Sequence, residues 1–125
     1  MGLKTYLYTF EPSIPGDDAG CFHSSDLWFF FETLAKCWRP FKGKHYDLAR
    51  QMCNYWADFI RNGDPNGIDA DGEAMPYWPE SREQSTVMHF GEECACRVES
   101  EGPQMRFLMD NEYRVWGLSK PCGKE

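Results

Sequence analysis

Positive charge is scarce in this sequence. Thirteen Lys and Arg stand against twenty Asp and Glu, leaving a net charge of −7. A nucleic-acid surface needs clustered cations facing phosphates. The single local basic group, Arg39 with Lys42 and Lys44, is short and reads as a solvated loop, so no nucleic-acid partner is expected. Long apolar runs are missing as well. The longest, residues 27–31, is far below the roughly 20 residues that span a bilayer, and no membrane partner is expected. The first residues hold one lysine and no apolar stretch of the kind that opens a secretion signal. There is no internal repeat, no low-complexity tract and no interior linker.

Metal-binding patterns are incomplete. Cys94 and Cys96 are one residue apart, closer than the usual zinc pair, and no second pair follows. Asp69, Asp71, Glu73 and Glu80 imitate a calcium loop, but Ala74 stands where the sharp turn requires glycine, so an acidic solvated loop is the better reading. No metal and no cofactor are expected. The six cysteines are irregularly spaced and read as reduced thiols. That points to the cytoplasm, unless a leader on a longer parent chain makes the protein secreted.

Apolar and aromatic residues are abundant. Of 125 residues 42% are hydrophobic and 16% aromatic, enough for the core of one modest domain spanning 1–125. Nine Phe, six Tyr and five Trp are hard to hide in so short a chain. Some should remain on surfaces that meet a partner.

The order of elements follows from periodicity. Residues 5–10 alternate with both faces apolar, as in a strand of a sheet covered on both sides. Residues 25–36 read as a buried helix with Ser24 or Ser25 as N-cap. The clearest helix is 45–62, where Leu48, Met52, Tyr55, Trp56, Phe59 and Ile60 form one stripe and Asn62-Gly63 a stop. Residues 67–85 read as loop, 86–90 as a strand, and 92–101 as a further strand alternating Cys94, Cys96 and Val98. Residues 104–116 read as a last helix and 120–125 as a frayed tail. The fold class expected is α/β, with two or three strands and about three helices.

Residues 21–38 organise the rest. A loop of small residues, Asp17 to Gly20, leads to a single histidine, His23. Ser24, Ser25 and Asp26 follow, then an apolar anchor from Leu27 to Ala35. A histidine held at the mouth of a buried segment, beyond the carboxyl end of a strand, is placed as a proton shuttle would be. Taken by itself, a lone histidine is more often structural. Ser24 and Ser25 suit helix capping better than nucleophilic attack. Cys21, two residues before His23, could be imagined as a nucleophile, but a buried small thiol is the default. His45 and His89 receive no role.

Five pieces carry a resemblance. Tyr6-Leu7-Tyr8-Thr9-Phe10 precedes His23-Ser24-Ser25-Asp26-Leu27-Trp28-Phe29. Then come Asn54-Tyr55-Trp56-Ala57-Asp58-Phe59 with its exit turn Gly63-Asp64-Pro65-Asn66-Gly67, the segment Pro76-Tyr77-Trp78-Pro79-Glu80, and the strand Met88-His89-Phe90-Gly91. In this order, over about residues 5–91, they resemble the type B carboxylesterases, the cholinesterase-like branch of the α/β-hydrolases. The resemblance implies the C-terminal portion of an α/β-hydrolase fold and hydrolysis of carboxylic esters. It implies His23 as the histidine of the catalytic triad and Asp26 as a support that anchors its loop. A helix N-terminal acid favoured by the dipole would equally explain Asp26.

The remaining triad parts are not encoded in these 125 residues. The nucleophile of this fold lies in a Gly-x-Ser-x-Gly turn. The nearest match, Gly117-Leu118-Ser119-Lys120-Pro121, fails at its last position. Glu11, Asp17 and Asp18 lie too close before His23 to be the triad acid, and no glycine-rich oxyanion segment is present. The chain by itself is therefore expected not to hydrolyse esters. Its expected partners are the missing N-terminal part of the esterase, or a second copy through open strand edges, and a small ester in the parent enzyme. The alternative is a non-catalytic relic or protein-interaction module of the same fold.

Overall fold

A computed structural model describes residues 3–81, 86–99 and 102–117. Its sheet has three strands, β1 (Leu7–Phe10), β2 (Thr86–Phe90) and β3 (Cys94–Val98), in the order β1-β2-β3. β1 and β2 are parallel, with Tyr8 opposite Met88 and Phe10 opposite Phe90. A parallel pair requires a long crossover. Here it carries α1 (Leu27–Phe30), a 3-10 turn (Leu34–Lys36) and α2 (Gly43–Asn62). β2 and β3 are antiparallel, joined through Gly91 to Glu93. A last helix, α3 (Pro103–Trp116), follows. The class is α/β, as expected.

Side chains alternate across the sheet. Tyr8, Phe10, Met88, Phe90, Cys94 and Cys96 share the face toward α2, where the Cys94 thiol lies 3.2 Å from Gln51 Oε1. Phe90 is fully buried. The rings of Trp78, Tyr55, Tyr8 and Phe30 stand 5.4, 5.7, 5.7 and 6.2 Å from it. Phe29, Leu34, Leu48 and Met52 complete the core.

α2 is closed at both ends by its own sequence. The His45 side chain turns back so that Nδ1 accepts the Lys42 backbone N–H at 2.8 Å, and Nε2 donates to the Ser13 carbonyl at 2.9 Å. Gly63 ends the helix at φ 69°, in the left-handed region glycine tolerates, with its N–H on Phe59 O. Of the apolar stripe, Leu48, Met52 and Tyr55 are buried, while Trp56, Phe59 and Ile60 remain exposed.

The turn after α2 is built by side chains that mimic backbone. Asp64 Oδ1 accepts from the Asn66 amide N–H and from its side chain. The Asn66 side chain then pairs with both the N–H and the carbonyl of Trp78. Trp78 Nε1 donates to Leu7 O at 3.0 Å, and Tyr55 Oη donates to Pro76 O at 2.6 Å. Two sequence motifs, the Asp-Pro-Asn-Gly turn and the Trp-Pro segment, are thus one structural unit that ties α2 to β1.

Several expectations need correction. The helix 25–36 is broken. Ser24 at φ 70° and Glu32 at φ 49° leave the helical region, so a single turn, α1, and a 3-10 turn remain. Neither serine caps it; Asp26 occupies the N-cap, and its side chain makes no capping bond to the helix. The segment is not buried all round, because Leu27 and Phe31 face outward. β1 is not covered on both sides: it lies at the edge of the described sheet with Leu7 and Tyr8 exposed. Arg39 is not solvated but 8% exposed. Asp69 is not a loop acid in water. Its carboxylate is buried and takes bonds from Arg50 Nε and Nη2, Asn54 Nδ2 and the Ala70 N–H. Arg50 and Asn54, both on α2, hold it in place. The frayed tail 120–125 and most of the Gly-Leu-Ser-Lys-Pro stretch lie outside the described residues.

Candidate active site

His23 sits in the loop that leaves the carboxyl end of β1. Four residues, Phe22 to Ser25, close a turn through the Ser25 N–H on Phe22 O at 3.0 Å. Ser24, third in the turn, has φ 70°, a conformation such turns normally give to glycine. A non-glycine residue held there marks a segment whose surroundings over-determine its shape. Ser25 is one reason: it is 1% exposed, and its hydroxyl donates to Phe22 O at 2.7 Å while accepting the Phe22 N–H at 3.3 Å. His23 is second in the turn, exposed, and among the described residues its imidazole has no hydrogen-bond partner.

Asp26, just beyond the turn, accepts the Tyr8 hydroxyl at 2.8 Å. Tyr8 belongs to β1 and packs edge-on against Phe30. Burial and then the Asp26 carboxylate push its phenol up to about 12. Asp26 therefore links the histidine turn to the strand before it.

The approach to the turn is held by Arg39, which by residue type was expected in a solvated loop. Arg39 Nη1 donates to Asp17 Oδ1 at 2.7 Å and to the Pro15 carbonyl at 2.9 Å, and Nη2 donates to Asp17 Oδ2 at 2.9 Å. The guanidinium lies 4.8 Å from the Trp38 ring and 5.3 Å from the Phe22 ring. The Asp17 carboxyl is held below its usual range by this bond. Only its position between two ring-bearing stretches could have hinted at burial.

The other candidates disperse. Cys21 is exposed rather than buried, and its thiol donates to Pro12 O at 3.1 Å. Partial burial and then Glu11 push that thiol up, away from a thiolate nucleophile. Glu11 pairs with His89 Nδ1 at 2.8 Å, and Asp17 pairs with Arg39, so two of the three acids before His23 are engaged elsewhere. His89 Nε2 lies 2.8 Å from Glu99 Oε1, out of line for a hydrogen bond. His89 projects from the sheet face opposite to Cys94 and Cys96, so the three cannot converge. Among the described residues no group of three or more His, Cys, Asp or Glu is arranged to hold a metal. No helix among them is long and apolar enough to cross a membrane. The five described cysteines are free.

An apolar groove of about 200 Å³ opens beside β1, lined by Tyr6, Tyr8, Tyr55, Trp56, Phe59 and Trp78 together with Pro65. It has almost no polar wall, so it suits an apolar side chain rather than a reacting ester.

A family model described as the carboxylesterase family matches residues 1–116. Carboxylesterase 4A of Bos taurus is 35% identical over 88 residues, 62% of this chain and 14% of its own length. Carboxylesterase 1E of Rattus norvegicus is 31% identical over 122 residues, 92% of this chain and 19% of its own. Among solved structures, an esterase of Clostridium hathewayi that can hydrolyse aliphatic aromatic polyesters superposes with a TM-score of 0.65 at 25% identity. That match covers 90% of this chain and 21% of the esterase. The carboxylesterase EST55 of Geobacillus stearothermophilus gives 0.62 at 25% identity, covering 83% and 21%. The chain thus spans about one fifth or less of the length of these relatives.

Proposed function

Because this chain belongs to the carboxylesterase family, we propose that it forms the histidine-bearing part of a serine carboxylesterase, with His23 as general acid and base. The observation that carries the reading is an exposed, uncommitted imidazole at the tip of a braced turn beyond the carboxyl end of β1. In this reading His23 takes the proton of a serine hydroxyl as that oxygen attacks the ester carbonyl, and returns it to the departing alcohol. Asp26 keeps the turn on β1 through Tyr8. The serine and the triad carboxylate come from the remaining, N-terminal part of the esterase. That part adds a strand to the outer edge of β1 and seats an apolar side chain in the groove beside it.

A second reading, a non-catalytic interaction module of the same fold, is favoured by the exposure of Phe31, Trp38, Ile60 and Tyr77. One experiment separates them. Co-expression with the upstream part of a carboxylesterase should restore hydrolysis of a p-nitrophenyl ester, and His23→Ala should abolish it. The chain alone should show none. Activity that survives His23→Ala in the complex removes the proposed role. Hydrolysis by the pure chain that depends on His23 removes the need for a partner.

A further inference from the structure

The segment between β1 and His23, residues 11–22, has little to hold it by burial. Only Pro12 and Ile14 are buried, and residues 16–22 are exposed. Such a segment would ordinarily fluctuate, and a proton carrier attached to it would not keep its place. We propose that Arg39 is a positioning residue for His23, its guanidinium fork fixing Asp17 and Pro15 while its flat face holds the Phe22 ring. The inference rests on the reading of His23 as the proton carrier.

The geometry has three parts. The fork gives Asp17 two parallel bonds and Pro15 one, which fixes both position and plane at the middle of the loop. The guanidinium lies over the ring of Trp38, its neighbour in the chain, and over that of Phe22 on the loop. Phe22 is the residue before His23, and its carbonyl receives both bonds that close the histidine turn. A displacement of Arg39 therefore passes to Phe22 and from there to the imidazole. Gly16 adds a steric condition: at φ 111° it packs on Trp38, where a Cβ would come within 3.0 Å of the indole. The loop can reach Arg39 because this position has no side chain.

A lysine in place of Arg39 keeps the charge but has neither the fork nor the plane. The role is thus separable from simple charge pairing. Backbone 15N relaxation and the imidazole 13C–1H line shape of His23 are to be compared in the 125-residue chain for the parent, Arg39→Lys, Arg39→Met and Asp17→Asn. Asp17→Asn touches an exposed side chain and leaves the core intact, so it reports even if Arg39→Met does not fold. In the parent, residues 22–25 should be as rigid as α2. In the three variants they should become mobile while α2 and β2 stay unchanged. In the complemented enzyme Arg39→Lys should lower kcat by about 10²-fold, the scale on which a misplaced catalytic group acts, at nearly constant KM. A turn equally rigid in every variant, or a kcat that Arg39→Lys leaves intact, overturns the proposal. A complex with no activity in any form, but with the relaxation changes present, overturns the esterase reading and leaves the bracing by Arg39 standing.

Discussion

The bond between Tyr8 and Asp26 offers the sharpest test of how the histidine turn is anchored. The phenol rises from its ordinary value near 10 to about 12, chiefly through burial and then through Asp26. Two units correspond to about 2.7 kcal/mol. The Tyr8 residue is 37% exposed, so solvent screening reduces this to about 1 kcal/mol. The folded state favours the neutral phenol. Its contribution is complete below the unfolded value near 10 and is lost as pH rises toward 12. Urea unfolding of the parent and of Tyr8→Phe should therefore diverge at neutral pH and converge in strong alkali. Asp26→Asn keeps an acceptor but removes the charge. The phenolate transition of Tyr8, isolated by subtracting Tyr8→Phe, should move part of the way down and stop above 10, because burial remains. The double-mutant cycle should give a coupling of about 0.5–1 kcal/mol, the range of a partly exposed hydrogen bond. A coupling of zero, together with a parent phenol that titrates at its ordinary value, would refute the reasoning.

Two further outcomes follow from the core and from its buried ion pair. Asp69 is held below the usual carboxylate range by its bond from Arg50, against the opposing effect of burial. Its contribution is present above the unfolded value near 3.9 and is lost as pH falls through the lower folded value. Asp69→Asn should cost about 2 kcal/mol at neutral pH and flatten the acid limb of the stability profile; an unchanged acid limb in urea titrations contradicts this. Phe90→Ala removes a fully buried ring from the centre of four others and should cost about 3–5 kcal/mol. A loss under 1 kcal/mol in the same assay would mean that the core does not depend on this ring.

Several features were legible because they are local. The 3.6-residue stripe and the Asn62-Gly63 stop give α2 to within two residues of its start. Alternation gives β2 and the side-chain faces of β3. His23 stands out through its neighbours in the chain. What local reading could not supply was the fate of residues whose partners are distant. Ser24 and Ser25 carry the residue types of a helix cap, yet Ser25 is drawn inward to Phe22 and Ser24 takes a left-handed conformation. Arg39 and Asp69 look like solvent residues by type. Each is buried because a partner 22 or 19 positions away supplies the compensating charge. His45 falls on the stripe three residues before Leu48, but its two bonds, one local and one to Ser13, appear only once the loop folds back.

The amino-acid order alone determined the elements and their sequence, the family pattern, and the absence of a nucleophile turn from these 125 residues. These depend on periodicity, turn chemistry and residue identity, which are properties of neighbours along the chain. Tertiary structure alone decided which edge of the sheet β1 occupies, which polar groups are buried, and how the loop carrying His23 is tied down. Each of those depends on groups brought together from separate segments. A charge, a hydroxyl or a ring has a defined energy only when its surroundings do, and the chain order does not state them.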